Sequence, residues 1–205
     1  MAAFPGDKIP LAHPDSLRRA LSSEGRDLLR QAIDDGRVGI PATGLLAAIE
    51  SDNELQLKQL LEGGVNVDCT TILEKNHHPG NVSGGTMTAL MLACMLKHNS
   101  IANALLQAGA NVHARRPHNG ATAMCVSACV GNASMCLVLS RYGASLDAAT
   151  TSGAAALLMA AEDGHLEVVR VLLGAGASVD QAAKDGATPL SVAAAFGHLE
   201  VVRAL

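Results

Sequence analysis

Apolar positions along this chain come in paired short clusters, not in long runs. Near the C-terminal end, in DGATPLSVAAAFGHLEVVRAL, the stretch LSVAAAF gives about two turns rich in alanine, the best helix former. The following HLEVVRAL places Leu199, Val202 and Leu205 three residues apart, on one helical face. Thr188 can accept a backbone N–H at the start of the first cluster, and Pro189 suits the first helical position. Gly197 can take the left-handed conformation that ends it. In the preceding copy the second helix runs on as HLEVVRVLLGAGASVD and stops at Gly174 and Gly176. The pattern predicts helix, tight turn, helix, and then a glycine-bounded loop rich in Ala, Asp, Thr and Ser.

This unit recurs. GHLEVVR begins at Gly164 and again at Gly197, a spacing of 33, and Gly131 lies 33 residues earlier still. The pairs Gly176-Ala177, Gly143-Ala144 and Gly109-Ala110, followed upstream by Gly64-Val65, are spaced 33, 34 and 45 apart. The larger steps are insertions of one and twelve residues into a fixed unit. One such unit cannot bury its own apolar face, whereas stacked neighbours bury one continuous core. Cys94, Ala128, Ala161 and Ala194 fall in one equivalent slot, where small side chains let helices approach closely.

The array is expected over residues 41–205, with units at about 41–69, 86–114, 118–149 and 150–182, a partial unit at 183–205, and a loop insertion at 70–85. Residues 1–14 hold three prolines and little periodicity, which predicts disorder. Residues 15–40 read as a helical flank, one broken helix or two short ones. This flank is either a degenerate cap or a partner-binding amphipathic helix. Leu205 falls inside the second helix of the partial unit, leaving Leu199, Val202 and Leu205 without a covering neighbour. A longer chain that continues past this point is therefore expected.

Composition narrows the chemistry. Hydrophobic residues make up 49% of the chain, yet Trp is absent and there are one Tyr and two Phe, so the core must be built from Leu, Val, Ile, Met and Ala. The net charge of −4 comes from interspersed acids and bases, without the clustered Lys and Arg that a nucleic-acid backbone requires. No apolar run reaches the roughly 18 residues of a membrane span, and the first residues lack an apolar run of signal length. Five cysteines, an odd number with no CxxC pair, point to free thiols in a reducing compartment, the cytoplasm or nucleus.

No catalytic constellation emerges. Cys125 and Cys129 stand one helical turn apart, but no His or acid is placed to activate either, and Cys125 and Cys136 occupy packing slots taken by Leu158, Ser191, Val169 and Val202 in other units. Glu162-Asp163 read as solvated acids at a helix end. GNVSGG lacks the Lys-Ser/Thr of a phosphate loop. No cofactor is expected.

DGATPLSVAAAFGHLEVVRAL and GHLEVVRVLLGAGASVD resemble the ankyrin repeat, and the resemblance covers about residues 41–205. It implies an all-α solenoid of stacked helix-turn-helix units with finger loops. The family's TPLH signature departs from its pattern in every copy: Thr188-Pro189-Leu190-Ser191, Ala155-Ala156-Leu157-Leu158, Thr122-Ala123-Met124-Cys125 and Thr88-Ala89-Leu90-Met91. The family histidine that ties neighbouring loops is missing throughout, which predicts weaker coupling between units. The resemblance also brings Cys69, His77, His78, His113 and His118 into neighbouring loops, but their spacing matches no established zinc motif, so these are expected to be solvated polar loops without metal.

The resemblance further implies function. Its expected form is a non-catalytic, monomeric protein–protein interaction module that binds one or more partner proteins through a concave groove and finger tips. The alternative is a targeting arm for an enzyme or adaptor domain beyond residue 205. Carried over residue by residue, the groove comprises the helix-end residues Met95, Leu96, Cys129, Val130, Glu162, Asp163 and Phe196. The finger tips comprise Arg115, Arg116, His118, Asn119, Ser152, Lys184 and Asp185. Met95, Leu96, Cys129 and Val130 would form an apolar stripe beside an acidic step, or would tuck under their own loops.

Overall fold

The computed structural model describes residues 43–68, 70–72 and 86–205. The expected tail and flank at 1–40, and Cys69, His77, His78 and GNVSGG, lie outside the described residues. Ten helices are present among those described. Unit one holds α1 (Thr43–Glu50) and α2 (Glu54–Glu62), and unit two holds α3 (Ala89–Met95) and α4 (Asn99–Gln107). Unit three holds α5 (Ala123–Cys129) and α6 (Ala133–Arg141), and unit four α7 (Ala156–Glu162) and α8 (Leu166–Gly174). The last unit holds α9 (Pro189–Ala195) and α10 (Leu199–Ala204). Helices this short are marginal alone, so packing must hold them.

Their ends are chemically marked. Thr88, Thr122 and Thr188 accept the backbone N–H groups of Met91, Cys125 and Ser191, capping α3, α5 and α9. Pro189 stands at the start of α9, inside a capping box that Ser191 completes. Ala155 holds the same position before α7 and makes no side-chain cap. Gly131, Gly164 and Gly197 take positive φ in the turns between paired helices.

The helices stack in two rows. The first helices pack in order, α1 on α3, α3 on α5, α5 on α7 and α7 on α9, while each second helix lies against its own partner. Among the second helices, α4 and α6 are joined by a hydrogen bond from Asn99 Nδ2 to Ser134 Oγ at 3.1 Å. The core runs along the stack as a single cluster of aliphatic side chains. Cys94, Ala128 and Ala161 are fully enclosed in the shared small-residue slot. Ala194, in the outermost unit, is exposed.

Two features depart from the expectation. A short antiparallel ladder, β1 (Thr70–Ile72) with β2 (Thr86–Thr88), joins the flanks of the insertion and leads straight into α3. Coupling between units, expected to be weak, is instead made at the residue that begins each second helix. His98 Nδ1 lies 3.3 Å from the Asp52 carboxylate. Asn132 Nδ2 donates to Asn99 Oδ1 at 2.7 Å. His165 Nε2 donates to the Cys129 carbonyl at 3.0 Å, and His198 Nε2 to the Glu162 carbonyl at 2.9 Å. Each bond crosses one unit boundary, at a residue other than the missing signature histidine.

Candidate functional site

The finger loops are small hairpins closed by backbone bonds. Arg116 N–H donates to the Ala121 carbonyl at 2.8 Å, Thr150 N–H to Ala154 at 2.9 Å, and Ala183 N–H to Ala187 at 2.8 Å. Neighbouring fingers are then laced together, Thr151 N–H to the Asn119 carbonyl at 2.8 Å and Lys184 N–H to the Ser152 carbonyl at 2.9 Å. Asn119 and Asp185 also turn their side-chain oxygens onto the Ala121 and Ala187 N–H groups. Much of each finger is therefore committed to its own shape.

This sorts the predicted tip residues. Arg115, His118, Ser152, Lys184 and Asp185 are exposed, and Asn119 is half-buried. Arg115 donates to the Ala149 carbonyl of the next loop, which fixes its guanidinium across the unit boundary. Arg116 is a correction. It is only 4% exposed, because the hairpin pairing that uses its backbone turns its side chain into the array. Burial moves its guanidinium pKa down from the usual range.

At the helix ends the backbone is constant and the side chains are not. Leu96, Val130, Asp163 and Phe196 occupy one equivalent position, each in right-handed conformation with φ between −79° and −88°. Met95, Leu96 and Val130 are half-buried, and Met95 and Leu96 pack against the core. Cys129, Glu162 and Asp163 are exposed, and Phe196 is 61% exposed. The stripe thus divides: its unit-two end leans on the core, and its later residues face outward.

The thiols are poorly suited to nucleophilic work. Burial pushes the Cys94 and Cys136 thiols up to about 12. Cys129 is pushed up to about 11, first by desolvation of its sulfur and then by the Asp163 charge, which also hydrogen-bonds it. Among the described residues, no three His, Cys, Asp or Glu side chains converge as a metal site. The unit-linking residues His98, Asn132, His165 and His198 were missed by sequence reasoning. The Gly-His dipeptides repeated in GHLEVVR were the available signal.

A family model described as ankyrin repeats (3 copies) matches residues 45–150 and 125–205. No curated protein matches the chain.

Proposed function

The chain belongs to the ankyrin-repeat family, whose repeats generally serve as protein–protein interaction modules, and we propose that this array is a non-catalytic scaffold binding a partner protein along its helix ends and finger tips. The contact row runs from Cys129 through Glu162 and Asp163 to Phe196, flanked by His118, Lys184 and Asp185. One observation carries this reading. Four units hold the helix-end position on nearly the same backbone, yet fill it with Leu96, Val130, Asp163 and Phe196. Two residues earlier, the slot stays small in these same four units, with Cys94, Ala128, Ala161 and Ala194. Packing dictates the inner slot and leaves the outer one free to vary, as a recognition surface requires.

Phe196 and the adjacent acids give the row an aromatic anchor beside negative charge, a combination suited to an apolar and basic partner segment. The test is capture of the partner from cell extract by the chain carrying Cys129→Glu, Asp163→Lys and Phe196→Ala together. These three side chains are exposed, so helical circular dichroism is expected to stay unchanged while capture is lost. Leu137→Ala, an exposed change on α6, serves as the control and should retain capture. Full capture by the triple variant would move the binding surface elsewhere.

A further inference from the structure

An aspartate at the close of one unit ties it to the next. Asp68 Oδ1 accepts the Asn111 backbone N–H at 2.7 Å. Asp147 accepts the Ser178 backbone N–H at 2.9 Å and the Ser178 hydroxyl at 2.5 Å. Asn111, Ser145 and Ser178 are equivalent by the repeat spacing, as are Asp68, His113 and Asp147. The junction between units two and three therefore has the donor residue, Ser145, but a histidine where the carboxylate belongs.

The consequences are visible there. Ser145 is exposed, and its N–H and hydroxyl make no hydrogen bond to another described residue. A cleft of about 220 Å³ opens at the same place, lined by Val112, His113, Arg115, Thr122, Ser145 and Ala148. Arg115 is anchored beside it by its bond to Ala149, which spends one of its five donors. The acid nearest along that loop, Asp147, is turned away onto Ser178.

We propose that this cleft is a carboxylate slot, filled by an Asp or Glu side chain of the partner protein. The incoming carboxylate takes the Ser145 N–H and hydroxyl as Asp147 takes those of Ser178, and Arg115 supplies the positive charge. The array thus carries two filled copies of the interaction and one copy lacking its acid. A carboxylate receiving a backbone N–H and a hydroxyl is among the stronger hydrogen-bonded arrangements, and an asparagine amide in its place carries no charge for Arg115. The inference deepens the partner-binding reading and rests on it.

The test uses the full chain labelled with ¹⁵N and two short peptides, acetyl-Gly-Asp-Gly-amide and its Asn counterpart. The Asp peptide is expected to move the Ser145 amide resonance downfield and saturably, with the Asn peptide at least tenfold weaker. His113→Asp builds the missing carboxylate into the chain. In that variant the Ser145 amide should already stand downfield without peptide and should no longer respond to it. An equal response to both peptides, no response at Ser145, or a His113→Asp spectrum with Ser145 unmoved would each overturn the slot. The helix-end variants test a different surface, so failure here leaves the groove reading standing.

Discussion

The ring of His165 lies where a side chain on Gly131 would have to be. A Cβ built on Gly131 would sit 2.8 Å from His165 Cε1 and Nδ1, while His165 Nε2 reaches past the glycine to the Cys129 carbonyl. The same relationship joins Gly164 to His198. The glycine of one unit makes room for the histidine of the next, and that is why GH recurs as a pair: each copy gives a histidine backward and leaves a space forward.

Gly131→Ala should therefore cost more than its backbone alone. Gly131 has φ +73°, and a non-glycine residue there loses about 1–2 kcal/mol. The collision with His165 adds to this. In a His165→Ala background the collision disappears and the backbone cost remains, so a double-mutant cycle in urea should show the pair as strongly non-additive. Simple additivity would mean the ring moves aside freely.

His165→Ala alone removes one hydrogen bond across the unit boundary and should lower stability by about 1 kcal/mol. His198→Ala should cost less, since more of its helix pair is exposed. The comparison of urea midpoints for the two variants reads this ranking directly.

Ala155→Ser should stabilise the chain. Ala155 precedes α7 in the position where Thr88, Thr122 and Thr188 cap α3, α5 and α9, and it makes no cap of its own. A serine hydroxyl there can accept the Leu158 N–H, a gain of up to about 1 kcal/mol. The expected sign is a higher urea midpoint with an unchanged slope.

Cys129 should react slowly despite its exposure. With its thiol moved from 9.0 to about 11, thiolate is about a hundredfold scarcer near pH 8. The higher intrinsic nucleophilicity of such a thiolate offsets part of this, leaving alkylation about tenfold slower than for an ordinary thiol. Asp163→Asn removes a charge that raises the pKa, so labelling of the Cys129 peptide by iodoacetamide should speed up.

Alkali should weaken the fold through Cys94 and Cys136. Folded, these thiols keep their protons to about 12, whereas unfolded they lose them near 9.0. Above that lower value the unfolded chain binds fewer protons than the folded one, so stability present below pH 9 falls as pH rises toward 12. Cys94→Ala with Cys136→Val places in each slot a residue that other units already use there. The variant should lose less stability than the parent between pH 8 and 10.5, measured by urea unfolding.

The sequence by itself determined the unit and its repetition. The 33-residue spacing, the threonine before the first helix and Pro189 at its start each act within a few residues along the chain. So does the glycine in the turn. Backbone propensity and apolar periodicity settle such features locally.

Only the tertiary structure decided what those units do to one another. It turned Arg116 inward while Arg115 stayed out, although both sit in the same basic run. It paired Thr70–Ile72 with Thr86–Thr88 across the insertion, joined His165 to Cys129, and left Ser145 without the acid that Ser178 has. Apart from Arg116, which its own hairpin turns inward, each of these depends on an atom contributed from roughly one repeat away, or from the far side of an insertion. A side chain's choice between water and such a distant partner is set by the packing of the stack, not by its immediate neighbours in sequence.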